Sequence, residues 1–275
     1  MWGRSENRGP IGLIAGHGTF PALFAQAARS VKRPVILFGI EGITDKRVEE
    51  YSSEAHYVRW GELGRLFDLL CAKSIKQVVL AGGIPKKRIY DPSMKLDATA
   101  QDFLKKSSNK GDDHLLRSLE LLLKVKCGVS VVDSRLYLKE TLAVKGVLTR
   151  RKPTDNQMKD LKLGFQTAKH VGRMDIGQTI VVKEGVIVAV EALEGTDQAI
   201  RRGGEVAGSG VVVVKAAKPN QALRFDLPCV GLDTVTAMRE VSAAVLGVEA
   251  GKTLLLAKDR FIDAADTAGI CVVGL

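Results

Sequence analysis

The sequence predicts an α/β fold, with a mostly parallel sheet in the N-terminal half and a distinct α/β domain in the C-terminal half. Three observations carry that expectation. Short apolar runs alternate with amphipathic helical stretches through residues 11–132, the order that builds parallel sheets by right-handed crossovers. Two of those runs end in closely spaced glycines, Gly16 with Gly18 and Gly82 with Gly83. Further β-branched runs crowd residues 179–230, each bordered by charge. A chain of 275 residues suits one large or two ordinary domains. The expected division is residues 1–140 and 141–275.

The N-terminal elements follow in order. Residues 11–18 (IGLIAGHG) read as a strand closed by Gly16-His17-Gly18. The next stretch has helical spacing, with Thr19 as its expected N-cap and Pro21 in the first turn, where a missing N–H costs little. Residues 35–38 are a second strand, so the chain opens with a βαβ unit. Its glycine turn lies at a helix N-terminus, where free N–H groups favour an anion. Gly16 and Gly18 either contact phosphate or simply permit the tight turn, and His17 reads as a polar loop residue. A full dinucleotide fingerprint needs a small residue at position 21, which is proline here. That argues against a nicotinamide oxidoreductase.

Residues 57–60 are a further strand candidate. Residues 61–74 form an amphipathic helix with Leu63, Leu66, Phe67 and Leu70 inward. Residues 77–81 read as a buried strand ending at Gly82 and Gly83, with Lys86, Lys87 and Arg88 after it. KGDDHLLRSLELLLKV is a strong helix that Asp112 or Asp113 would cap, with His114 beside them. Residues 128–132 read as a strand.

In the second half, residues 142–147 lead to Thr149, Arg150 and Arg151, a compact anion-binding candidate. Thr154 and Asp155 precede a helix over 158–171. Runs 179–182 and 186–190 flank Lys183-Glu184-Gly185, a hairpin turn. Glu194, Thr196 and Asp197 follow the hairpin, Lys215 and Lys218 follow the run 211–214, and Arg224 and Asp226 precede Pro228. These charges stand at strand ends, where a rigid scaffold can hold them over a cleft. Carboxylates suit a hard cation such as Mg²⁺, and Lys or Arg suits phosphate. The alternative is ordinary solvated loop charge. The tail offers β-like runs at 253–257 and 270–273 around a helix over 260–268.

Composition narrows the partners. Formal charge is +10, from 41 basic and 31 acidic residues, and mean hydropathy is close to zero. An anionic partner fits this balance. Scarce aromatics and the lack of any Arg-rich tract or finger motif argue against nucleic acid. Dispersed basic residues favour a phosphate-binding pocket, with an anionic membrane surface nearby as an option. The four cysteines are far apart without a CxxC pair, so neither a zinc motif nor a compact disulfide framework is expected. No apolar run approaches the ~20 residues of a membrane span, and the first residues do not read as a secretory leader. A reduced, cytoplasmic setting is the expectation.

Several long motifs, LIAGHGTFPALFAQAA, KGDDHLLR, GVLTRRKPTDNQ, DIGQTIVV, VEALEGTDQAI, VKAAKPNQALRFDLPCVG and VEAGKTLLL, occur in this order. Together they resemble the UDP-2,3-diacylglucosamine pyrophosphatases of the LpxI type, from about residue 10 to the end. The resemblance implies a Rossmann-like N-terminal domain and a separate C-terminal catalytic domain. It implies Mg²⁺-dependent hydrolysis of UDP-2,3-diacylglucosamine to UMP and 2,3-diacylglucosamine 1-phosphate (lipid X), in lipid A synthesis of Gram-negative bacteria. Asp226 matches the family's catalytic acid and is expected to hold the metal or orient water, with Lys215 as catalytic cation. Asp197 is the second expected metal ligand. Gly16, Gly18, Gly82, Gly83, Thr149, Arg150, Glu194, Thr196 and Lys218 are the expected substrate contacts. The glycines and Thr149-Arg150 are expected around one cleft. Expected partners are the lipid-linked UDP-sugar and, transiently, the inner-membrane surface, with a homodimer as an option and no nucleic acid. A noncatalytic nucleotide-sugar-binding protein is the alternative.

Overall fold

The computed structural model describes residues 9–83, 95–106, 112–219, 224 and 227–275, omitting the side chains of Asp112 and Asp113. The chain divides into two compact units, one reaching to Leu138 and the other beginning at Lys139, with Arg224 counted in the first.

The first unit is built on β1 (Ile11–Ala15), β2 (Val35–Ile40), β3 (Glu54–Val58), β4 (Gln77–Ala81) and β5 (Ser130–Val131), with α1 (Phe20–Ser30), α2 (Leu63–Ala72), α3 (Ala98–Lys106) and α4 (Asp112–Cys127) between strands. The five strands lie in the order β3-β2-β1-β4-β5, and every pairing is parallel. β2 is buried at each of its six residues, and β1 and β4 nearly so. That is the pattern of parallel strands covered on both faces. Burying each Leu, Ile or Phe such as Leu13, Leu37 or Phe24 contributes roughly 1.5–3 kcal/mol.

The order reverses between β1 and β4, so their carboxyl ends flank the topological switch point, the ligand crevice of open α/β sheets. The glycine-ended strands therefore belong to one parallel sheet and open on the same edge, as the alternation of runs predicts. Strand β3 lies earlier than the expected 57–60, because its register against β2 pairs Glu54 with Ile36 and Val58 with Ile40. Of the run 128–132, only Ser130–Val131 pairs as a strand. Thr19 sits at the N-cap of α1 but makes no side-chain cap, its backbone being helical rather than extended. Lys86, Lys87 and Arg88 lie outside the described residues.

The second unit contains β6 (Gly146–Val147), α5 (Asp155–Arg173), β7 (Thr179–Lys183), β8 (Val186–Val190), α6 (Thr196–Ala207), β9 (Val212–Lys215), β10 (Cys229–Val230), α7 (Leu232–Glu240), β11 (Val245–Val248), β12 (Leu254–Leu255), α8 (Lys258–Thr267) and β13 (Cys271–Gly274). Its main sheet runs β6-β13-β11-β9-β7-β8. β9, β11 and β13 are parallel, while β6, and β7 between β9 and β8, pair antiparallel. Alternate residues supply two cores. Val181, Val213, Leu246 and Val272 meet Ile200, Met238 and Phe261 of α6, α7 and α8. Ile180, Val182, Val212 and Val214 meet Leu161 and Ala168 of α5. The hairpin loop is Glu184-Gly185 alone, both at positive φ, because Lys183 stays in β7. Buried Asp160 accepts both loop N–H groups, at 3.0 and 2.7 Å. α5 starts earlier than the expected 158, because Thr154 and Gln157 close a capping box. The run 253–257 contributes only the short β12, which pairs with β10.

Helix α6 and strand β11 were not legible as elements. Gly203 and Gly204 interrupt α6 in sequence, yet they let it approach closely. A Cβ on Gly203 would lie 2.6 Å from Val181 Cγ1, and one on Gly204 would lie 2.2 Å from Val241 Cβ.

Candidate functional site

In the first unit, the loops after β1 and β4 are laced together. His17 N–H donates to the Gly83 carbonyl at 2.8 Å, and Gly83 N–H donates back to His17 O at 3.1 Å. Gly16 N–H donates to Ala81 O at 2.8 Å. A Cβ on Gly16 would stand 2.2 Å from Gly83 O, and one on Gly82, at φ +85°, would stand 2.6 Å from His17 O. Gly16, Gly82 and Gly83 thus serve a close backbone approach, and the N–H groups of Gly16, His17 and Gly83 are spent on carbonyls rather than aimed at a ligand. What remains for an anion is the start of α1, beyond Gly18, where no side chain caps the first turn.

In the second unit, the polar groups gather at the carboxyl ends of β9 and β11, beside the start of α6. Lys215 is the last residue of β9 and only 8% exposed. Its Nζ donates to Thr196 Oγ1 and to the Cys229 carbonyl, each at 2.9 Å. Thr196 donates to Glu191 Oε1 at 3.0 Å, and Glu191 Oε2 accepts from Gln178 N–H at 3.3 Å. Both direct Lys215 partners are neutral, and an ammonium has three donors, so the cation retains a donor for an incoming anion.

Asp197 lies in the first turn of α6. Burial pushes its carboxyl above the usual range, Lys215 and Arg201 pull it down, and Asp233 and Glu191 push it up again. The α6 dipole favours its ionised form.

A second cluster borders this one. Glu249, directly after β11, accepts from Ala217 N–H at 2.9 Å and pairs with Lys169 and Lys252. Burial pushes its carboxyl up, but hydrogen bonds from Lys169 and Lys252 outweigh that and hold it below the ordinary value. Lys218 is ion-paired with Asp175, which leaves it more neutralised than Lys215.

The remaining expected residues stand apart. Glu194 turns to Arg202 at 2.6 Å and to Ala192 N–H at 3.1 Å. There it borders an open depression with Val190, Gln198 and Arg201. Thr149 and Arg150 follow β6, which runs antiparallel to β13 and so carries them to the amino end of that strand. Thr149 Oγ1 accepts from Val272 N–H at 2.9 Å, and Arg150 N–H donates to Asp266 at 2.8 Å. The Arg150 side chain is 88% exposed. Within the second unit they lie at the opposite end of the main sheet's strands from Lys215. Asp226 lies outside the described residues. Among the described residues, no three His, Cys, Asp or Glu side chains converge as a metal site requires. Asp197 alone is not a ligand set for a divalent ion.

Glu191 and Glu249 were missed in the sequence, although each directly follows an apolar run, as Lys215 does. The same positional rule finds all three.

The LpxI N-terminal domain family matches residues 10–141, and the LpxI C-terminal domain family matches residues 144–273. The chain is 32% identical to the UDP-2,3-diacylglucosamine pyrophosphatase LpxI of Caulobacter vibrioides, over 96% of this chain and 97% of that protein. Among solved structures, it is similar to N5-carboxyaminoimidazole synthetase from Staphylococcus aureus, with 15% identity and TM-score 0.25 over 65% of this chain and 38% of that one. It is also similar to the biotin carboxylase domain of 2-oxoglutarate carboxylase from Hydrogenobacter thermophilus, with 14% identity and TM-score 0.26 over 71% of this chain and 40% of that one. Superpositions this partial bear on neither fold nor function.

Proposed function

The chain belongs to the LpxI family, and from that premise we propose that it hydrolyses the pyrophosphate of UDP-2,3-diacylglucosamine to UMP and 2,3-diacylglucosamine 1-phosphate, a step of lipid A synthesis. The observation that carries this reading is the end-to-end match with the Caulobacter pyrophosphatase, across both domain families.

The chemistry asked of the chain is modest. Attack by water on a phosphoanhydride needs charge stabilisation on the phosphoryl oxygens and a positioned nucleophile. Lys215, held between Thr196 and the Cys229 carbonyl, is suited to the first task. Its rigid anchoring avoids reorganisation when charge develops. Asp226 is assigned the second task, orienting the water, by its match to the family motif. A dependence on Mg²⁺ belongs to the proposal and rests on the family resemblance, not on a ligand set among the described residues. Such an ion would add positive charge at the phosphates.

No helix among the described residues is long and apolar enough to cross a membrane. A diacylated substrate is presented by a membrane surface, so we place the protein in the cytoplasm, in transient contact with the inner membrane.

The test is release of UMP from UDP-2,3-diacylglucosamine with Mg²⁺ and with EDTA. UMP in the first case and its loss in the second are expected. Folded protein that binds the substrate and releases no UMP under either condition would replace this reading with nucleotide-sugar binding alone.

A further inference from the structure

Two cysteines distant in sequence meet in the first unit. Cys71 lies in the last turn of α2, and Cys127 is the last residue of α4. Cys127 Sγ is 3.5 Å from the Phe67 carbonyl. In an α-helix that carbonyl accepts from the amide four residues on, which is residue 71. Cys127 therefore rests against the helical turn that bears Cys71, which brings the two thiols into one neighbourhood. Cys71 is exposed, Cys127 is half-buried, and both are free thiols. No third metal-ligating side chain completes a metal set among the described residues, so the chemistry open to the pair is that of a dithiol.

We propose that Cys71 and Cys127 are a modification site, converted to an intramolecular disulfide by a small disulfide oxidant of the glutathione class. The Cys71 thiolate attacks one sulfur of oxidised glutathione. A Cys71–glutathione bond forms, the glutathione S–S bond breaks, and one glutathione leaves as thiolate. Cys127, as thiolate, then attacks Cys71 Sγ, and the second glutathione leaves. The two protons of the protein thiols end on the two glutathione thiols, so the protein is oxidised by two electrons and one oxidant molecule is reduced.

The surroundings set this order. Exposure makes Cys71 the entry point. Burial, then the neighbouring Cys71 thiol, then Asp68, push the Cys127 thiol up to about 12, against the pull of Lys126. In the mixed disulfide Cys71 Sγ stays on the helical turn against which Cys127 rests, so Cys127 is the thiol placed to resolve it.

The proposal is independent of the hydrolase reading, since neither thiol lies among the residues assigned to that site. Its test is incubation of the whole protein with oxidised glutathione, followed by intact mass and non-reducing peptide mapping. The expected product is two hydrogens lighter, carries no glutathione and yields one linked peptide pair joining Cys71 to Cys127. The Cys127→Ser protein should instead retain one glutathione on Cys71, and the Cys71→Ser protein should leave Cys127 unmodified. Wild-type protein that keeps glutathione on Cys71, links other cysteines or stays fully reduced overturns the proposal. The wild-type map decides the question even if a variant folds poorly.

Discussion

Lys215 Nζ stands 2.9 Å from Thr196 Oγ1, which ties the end of β9 to the first turn of α6. Two elements of different type thus hold one nearly buried cation, and a catalytic assignment for it makes a sharp prediction. Lys215→Met should keep the fold but reduce UMP release by about 10²-fold or more, since a preorganised charge is lost. Turnover measured beside the melting temperature checks this. Near-normal turnover in a folded variant would remove Lys215 from the mechanism.

Asp226 is tested by isosteric neutralisation. Asp226→Asn keeps the shape and removes the charge. In the catalytic role it should bind substrate and lose hydrolysis by about two orders of magnitude or more. In a structural ion pair it would instead lower the melting temperature and spare turnover per folded molecule. Glu191 and Asp197 are the carboxylates to examine next if turnover is spared.

Glu249 carries a pH signature. Its carboxyl is held below the ordinary value of 4.5 by Lys169 and Lys252. A folded-state pKa below the unfolded one adds stability above the unfolded pKa, and that stability is lost as pH falls through the folded value. Glu249→Gln should therefore melt below wild type near neutral pH, and the gap should close as the pH drops beneath 4.5. Thermal melts of both proteins across that interval decide it. A gap that stays constant would show that the ion pairs contribute nothing through charge.

Gly16 is a packing test. A methyl group there would meet Gly83 O at 2.2 Å, a backbone atom that has no rotamer to relieve the clash. Gly16→Ala should cost about 1–3 kcal/mol of stability, the range for overpacking. A variant with an unchanged denaturation midpoint would mean the two loops are not held at this spacing.

What the sequence by itself determined is what local pattern encodes. The apolar runs of β1, β2 and β4 and the amphipathic α2 and α5 state their own periods, and Gly16 and Gly82 mark strand ends where only a missing side chain permits contact. The family motifs reach through the chain because they are local strings too. Tertiary structure decided the rest, because strand order and direction are long-range properties. Thr149-Arg150 and Lys215 both read as phosphate-binding candidates, but antiparallel β6 and parallel β9 place them at opposite ends of the strands of the second unit's main sheet. Glycines that look like helix breakers in α6 became its packing face against Val181 and Val241. The pairing of Lys218 with Asp175, and of Lys215 with neutral groups, separated two lysines that composition treats alike. A residue's charge is written in the sequence, but its partners are set by which distant segment the fold lays beside it.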